Sequence, residues 1–102
     1  MGRSPRRKPI RLAGKLRAIR EGLDLTQEQM IERLDGAQFR LYPASISLYE
    51  QGKREPPIPI LLTYARIAGV PMEVLADDEL DLPELLPANE GYKWVMKRVK
   101  VK

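Results

Sequence analysis

Residues 43–56 read PASISLYEQGKREP, and this stretch decides the fold. Pro43 suits the first position of a helix, because its missing N–H would have no helical acceptor there. Ile46 and Tyr49 follow at the i, i+3 spacing of one helix face, and Gly52 is a residue that commonly ends a helix. A basic loop with prolines comes next. The stretch therefore predicts a short helix with a positively charged exit.

A first helix is predicted well upstream of this stretch. Leu12, Leu16 and Ile19 recur at i, i+4 and i+7, which is the spacing of one buried helix face. This helix should span about residues 10–21, and Gly22 should follow it as its C-terminal cap.

A second helix begins at a clear N-terminal signal. Thr26 has the side chain of an N-cap, and Gln29 three residues later completes a capping box. This helix should span about residues 27–34 and end at an Asp-Gly turn. The link that follows, residues 37–42, fits no single type of element.

Two more helices are predicted after the basic loop. One spans about residues 58–68 and is closed by Gly69, and a short one runs from Pro71 to about Ala76. Together with the three helices upstream, they make an all-α domain of five helices.

Composition excludes several classes of protein. The chain has 102 residues, the length of one domain, and it contains neither Cys nor His. Disulfides are excluded and the usual zinc ligands are missing, so we expect no metal and no cofactor. No apolar stretch approaches the roughly 20 residues of a membrane span. We therefore expect a cytoplasmic protein that is not an enzyme.

Charge is divided into three blocks. Residues 1–20 carry eight positive and no negative charges, residues 73–90 carry seven negative and no positive ones, and residues 91–102 carry five positive and no negative ones. The pI near 9.6 favours an acidic partner, with nucleic acid ahead of a membrane surface. The blocks divide the chain into a flexible basic arm, a domain and an extension: residues 1–9, 10–76 and 77–102.

The extension consists of an acidic strap, residues 77–91, and a C-terminal segment, residues 92–102, with aromatic, β-branched and basic side chains. We expect the strap to be extended and long enough to carry the segment to a second subunit. The segment could be a strand or a helix. Its apolar side chains rarely stay exposed without a partner, which favours a dimer contact over packing of Trp94 on its own domain.

In this order, the motifs resemble the Xre/Cro family of helix-turn-helix regulators, which are related to phage repressors. The resemblance covers about residues 10–76 and includes a basic first helix. The other shared pieces are Thr26-Gln27-Glu28-x-Met30, Ile46-Ser47-x-Tyr49-Glu50-x-Gly52-Lys53-Arg54-x-Pro56, and Leu61 to Leu75 with Tyr64-Ala65 and Gly69-Val70-Pro71.

The resemblance implies a function. The third helix of such a domain enters the major groove of double-stranded DNA, often as a homodimer on a two-fold operator. The protein would then regulate transcription by occupying the operator, in association with a bacterial or phage nucleoid.

The resemblance also implies contact residues. Gln27, at the start of the second helix, would contact a phosphate, and Lys53 and Arg54 would hold the DNA backbone. The basic arm would add further phosphate contacts from Arg3, Arg6, Arg7 and Lys8, and Arg11, just after the arm, would add another. The positions that would face the bases are Pro43, Ala44, Ser45, Ser47 and Leu48.

The base-facing positions are poor in hydrogen-bonding side chains. Only Ser45 and Ser47 offer any, whereas bidentate base contacts use Arg, Asn or Gln. Specificity could instead rest on thymine methyl groups, on DNA shape, or on Gln38 and Arg40 in the link before the third helix. That link is longer than the family's usual turn, and Ile31 stands where the family prefers a small residue.

Two other functions stay open. An antitoxin of a toxin–antitoxin pair would use the C-terminal segment to wrap a protein partner. An adaptor for protein interactions would have kept the fold and lost base readout, which the apolar side chains at positions 43, 44 and 48 favour. An enzyme ranks last, because Glu50, which we expect to pair with a local basic neighbour, has no constellation of catalytic partners.

Overall fold

The computed structural model describes residues 9–34 and 40–90, and these ranges form five α-helices and one 3₁₀ helix. The helices are α1 (Leu12–Gly22), α2 (Gln27–Arg33), α3 (Pro43–Glu50), α4 (Ile58–Ala68) and α5 (Met72–Ala76), followed by the 3₁₀ helix Pro87–Glu90. No strand occurs in the described ranges. The prediction of an all-α, five-helix domain is confirmed.

The helix boundaries follow the sequence signals closely, except at the end of α1. Gly22 is the last residue of this helix, so the prediction that it caps the helix from outside is wrong. Asp24, with φ 59°, takes the left-handed conformation that reverses the chain toward α2. Aspartate can adopt this conformation because its short polar side chain bonds locally. The left-handed residue therefore lies two positions later than expected.

One apolar core lies between the helices. α1 packs against α3, α4 and α5, and α2 packs against α3. Leu16 and Ile19 are fully buried, as their spacing predicts, and each such side chain contributes about 2 kcal/mol through the hydrophobic effect. The remaining core residues are Leu12, Met30, Leu34, Ile46, Tyr49, Ile60, Leu61, Tyr64, Ala65, Ala68, Val70, Leu75 and Leu86.

The strap is attached to the N-terminal end of α1. The Asp78 carboxylate accepts hydrogen bonds from the backbone N–H groups of Ile10 at 2.9 Å and Arg11 at 3.0 Å. Arg11 is the N-cap of α1, and its own side chain makes no capping bond. Asp78 therefore supplies the missing cap, and its negative charge is favourable at the positive end of the helix dipole.

The strap is also attached to the C-terminal end of α1. The side-chain amide of Asn89 donates a hydrogen bond to the carbonyl of Gly22 at 2.6 Å. Leu86 joins the core beside Gly22, where an added Cβ would lie 3.0 Å from the Leu86 side chain. The described part of the strap, residues 77–90, thus lies along its own domain. The strap was expected to be extended, and the structure instead attaches it to both ends of α1. The contact of residues 92–102 with a second subunit stays a prediction.

A buried lysine joins α1 to the end of α5. The Nζ atom of Lys15 donates to the carbonyls of Val74 at 2.7 Å and Asp77 at 2.8 Å. The residue is only 5% exposed, and this burial lowers the pKa of its ammonium group. The two carbonyls lie where α5 ends, so the lysine charge meets the negative end of that helix.

Asp78→Ala should lower the thermal midpoint of unfolding and weaken its dependence on pH. Hydrogen bonds from the backbone N–H groups of Arg11 and Ile10 hold the pKa of Asp78 below its usual range. A carboxyl group of this kind stabilises the fold above its ordinary pKa, and that stability is lost as pH falls through the lowered pKa. Calorimetry from neutral pH down to about pH 3 measures both effects.

Glu79→Ala is the matched control, because it removes a carboxylate from an exposed neighbour in the same strap. Its midpoint should stay close to that of the wild type. Equal midpoints for the two variants at every pH would contradict the capping role of Asp78.

Candidate nucleic-acid interface

α3 has a buried face and an open face. Ile46 and Tyr49 point into the core, whereas Pro43 and Ala44 are exposed. The other three base-facing positions of the sequence analysis are half-buried: Ser45, Ser47 and Leu48. At about 100° per residue, Ala44 and Leu48 lie opposite the buried face, and the other positions lie toward its edges. The five positions therefore occupy the outer side of α3 and its two edges.

Both serine hydroxyls on α3 accept local hydrogen bonds. Ser45 Oγ accepts from the backbone N–H of Tyr42 at 3.3 Å, and Ser47 Oγ accepts from Nε2 of Gln51 at 2.6 Å. A hydroxyl that accepts a hydrogen bond can still donate its own proton. Each serine therefore retains one O–H donor for a base or a phosphate.

Gln51 is a candidate base-facing residue that the sequence analysis missed. It is exposed at the C-cap of α3, and Ser47 holds one of its amide protons. The amide oxygen and the second proton of its side chain form the donor–acceptor pair that can read adenine in the major groove. The i, i+4, i+7 spacing from Ala44 through Leu48 to Gln51 is the signal that would have found it.

The exit from α3 has a fixed geometry. Gly52 has φ 74°, and its N–H donates to the carbonyl of Tyr49 at 3.1 Å. The N–H of Lys53 donates to the carbonyl of Leu48 at 3.0 Å, which completes a Schellman motif. Since side chains strain this conformation, glycine is needed at position 52. Lys53 and Arg54 are exposed immediately beyond it, at the C-terminal end of α3.

The basic arm leaves the domain beside this exit. Pro9 and Ile10 line a cleft of about 220 Å³ together with Gly52 and Arg54. The arm residues Arg3, Arg6, Arg7 and Lys8 lie outside the described residues, and their phosphate contacts stay predictions.

Arg11 differs from the rest of the arm, because its charge already has partners within the chain. Its guanidinium group donates to the carbonyl of Asp78 at 2.6 Å and forms an ion pair with the Asp81 carboxylate. The hydrogen bond and the charge of Arg11 lower the pKa of Asp81. The predicted phosphate contact of Arg11 would compete with this pairing, so Arg11 is left out of the contacts proposed below.

The start of α2 has the predicted capping box. Thr26 Oγ1 accepts from the N–H of Gln29 at 3.1 Å, and Gln29 Oε1 accepts from the N–H of Thr26 at 2.8 Å. Gln27, the predicted phosphate contact, is half-buried at the first helical position. In the link before α3, Arg40 is exposed with φ 55°, whereas Gln38 lies outside the described residues.

One ion pair fixes α3 against α1 and the start of α2. Nε and Nη2 of Arg20 donate to the Glu50 carboxylate at 2.6 and 3.0 Å, and Nη1 donates to the carbonyl of Leu25 at 2.9 Å. The side chains are 15% and 5% exposed. The expectation of a local partner for Glu50 is therefore corrected, since Arg20 belongs to α1. The bidentate contact with Glu50 raises the pKa of Arg20.

Neither a metal site nor a membrane span is found in residues 9–34 and 40–90. No cluster of acidic side chains there is arranged to hold a metal ion. No helix there is long and apolar enough to cross a bilayer.

Arg20→Ala should destabilise the fold by about 3 kcal/mol, because it leaves the Glu50 carboxylate buried without its partner. Arg17→Ala is the control on the same helix, because it removes the exposed pair with Glu21. That exposed pair contributes at most about 0.5 kcal/mol. Urea denaturation measures both losses, and similar values for the two variants would contradict the structural role of the Arg20–Glu50 pair.

A comparison with known proteins bears on this site. A protein-family model described as a helix-turn-helix domain matches residues 11–78, a range that contains all five α-helices. No curated protein and no solved structure matches the chain.

Proposed function

The chain belongs to the helix-turn-helix domain family, and from this we propose that it is a sequence-specific DNA-binding regulator of transcription of the Xre/Cro kind. It acts by occupying an operator, with α3 in the major groove. The observation that carries the proposal is the outer side of α3, which begins at the exposed Pro43 and Ala44 and ends at the exposed Lys53 and Arg54. The family also favours a binding protein over an enzyme.

Phosphate contacts supply most of the affinity in this proposal. Lys53 and Arg54 hold the backbone at the end of α3, and Gln27 contacts a phosphate from the start of α2. The arm adds its cations from the neighbouring side of the domain, where Pro9 lies in the same cleft as Arg54. These contacts orient the protein on DNA and carry no sequence information.

Base contacts come from the outer side of α3. Ala44 and Leu48 offer apolar contacts for thymine methyl groups, and the hydrogen-bonded Ser47–Gln51 pair offers a donor and an acceptor. Pro43 and Ser45 lie at the start of the helix, where family members approach the bases most closely. Arg40 and Gln38 belong to the link that precedes α3, and they add contacts at its edge.

Two copies of the chain act together in this proposal. A homodimer with one α3 in each half-site doubles the contacts, and the second half-site binds at a high effective concentration. The C-terminal segment, residues 92–102, joins the copies, because its apolar side chains need a partner surface. The segment lies outside the described residues.

Replacing both Lys53 and Arg54 with Ala should weaken binding to all DNA sequences alike. Binding of a selected duplex is measured by fluorescence anisotropy over a range of salt concentrations. The slope of log affinity against log salt should fall by about 2 in the variant, because two phosphate contacts are lost.

The double variant Arg17→Ala, Arg66→Ala is the matched control, because it removes the same charge from exposed positions on α1 and α4. Its salt slope should stay near that of the wild type. A wild type that selects no sequence from a random duplex library would overturn the proposed function, and equal slopes for both variants would overturn the placement of α3.

Gln51→Ala should change the preferred sequence as well as the affinity. If the amide reads a base, its loss should relax the preference at one position of each half-site, by about 1–3 kcal/mol of discrimination. Selection from a random duplex library, followed by sequencing, measures this preference. The Lys53, Arg54 double variant is the control, and its preferred sequence should be unchanged. The same preference for Gln51→Ala as for the wild type would exclude base reading by this residue.

A further inference from the structure

A groove runs along α1, between this helix and the strap. Its first part is lined by Ile10, Gly14, Ala18 and Leu82, and its second part by Ala18, Leu82 and Leu85 among others. The two parts have volumes of about 520 and 320 Å³. Since Ala18 and Leu82 line both, the groove is continuous over the length of the helix.

The groove has exposed apolar side chains along its wall and charged side chains along both edges. Leu85 is 66% exposed and Ile10 is 84% exposed, although both are large apolar side chains. Exposed apolar surface of this kind marks interaction sites. Arg11 and Lys15 line the groove on the α1 side, Asp81 and Glu84 line it on the strap side, and Arg11 is paired with Asp81. A fitting occupant is therefore mainly apolar, with a cation near Glu84.

We propose that the C-terminal segment of a second copy of this chain lies in the groove. The proposal deepens the dimer of the proposed function, on which it rests, by naming the surface that receives the segment. The segment carries the large apolar side chains of Tyr92, Trp94 and Val95, and it carries five cations and no acid. Its apolar side chains complement the wall of the groove, and one of its cations would pair with Glu84.

The length of the segment and its starting point fit this occupant. Asn89 is bonded to Gly22, so the described part of the chain ends beside one end of the groove. α1 has 11 residues, which makes it about 16 Å long. The segment covers that distance as a helix and exceeds it about twofold as an extended chain.

A second copy accommodates the segment more readily than its own domain does. To lie in its own groove, the chain would have to turn back along α1, because the strap already follows α1 from Asp78 to Asn89 beside Gly22. A copy related by a two-fold axis receives the segment without such a turn. Each copy then places its C-terminal segment in the groove of the other, so both grooves of the symmetric dimer are filled.

The test uses the full chain with Ala18→Arg, which places a cation in the groove opposite a cationic segment. Ala18 is exposed, so the domain should fold normally, as circular dichroism would verify. Ala76→Arg is the matched control, since it adds the same side chain at an exposed alanine outside the groove. Light scattering gives the mass in solution. Trp94 is the only tryptophan of the chain, so its emission reports on the segment directly.

We expect the wild type and Ala76→Arg to have the mass of a dimer, with the blue-shifted emission of a buried Trp94. Ala18→Arg should have half that mass and red-shifted emission. A dimer that persists in Ala18→Arg would overturn the proposal. A monomeric wild type would also overturn it, and in that case an emission shift in Ala18→Arg would place the segment in its own groove.

DNA binding by the same variants separates this proposal from the proposed function. If Ala18→Arg is monomeric and still binds a single half-site, both stand. If the masses change as expected but the wild type binds no DNA, the groove contact stands and the regulatory function fails. If DNA binds specifically while the mass of Ala18→Arg remains that of a dimer, the function stands and the groove contact fails.

Discussion

The arrangement of the candidate interface depends on the contacts of Arg20. This one guanidinium group bonds to Glu50 on α3 and to the carbonyl of Leu25 before α2, so it connects three elements. α3 has only 8 residues, and a helix of that length is marginal in isolation. A mostly buried ion pair adds little net stability, because desolvation offsets its attraction, but it penalises every geometry that separates the charges. Its main effect is therefore to fix the orientation of α3.

Local signals in the sequence predicted the helices well. They could not predict the contacts between residues that are far apart in the chain. Thr26 and Gln29 form the expected capping box, since both partners lie within four residues of one another. The acidic strap was expected to be an extended connection without contacts to α1, because a run of like charges gives no sign of a distant partner. Asp78 instead caps a helix 67 residues away, and no periodic pattern encodes such a contact.

The candidate site shows the same division. The outer positions of α3 follow from helical periodicity, and their role in reading bases stays a prediction. Gln51 was missed because the glycine that follows it suggested a helix end, where a glutamine is commonly an ordinary surface residue. Arg11 was grouped with the basic arm by charge alone, whereas its partners in the strap are visible only in three dimensions. Charge patterns thus could not show which charged side chains pair with one another in the fold.

Because the strap caps α1, this helix cannot fold completely until most of the chain has been synthesised. α1 leaves the ribosome first, but the carboxylate that caps it is added 67 residues later. At about 5–20 residues per second, this is a delay of several seconds. During that time α1 lacks both the Asp78 cap and the packing of Leu86 beside Gly22. Although α1 is synthesised before the other described helices, its contacts are completed only after they have been made. Nascent chains that stall before residue 78 would therefore expose an unfinished α1 to chaperones and proteases.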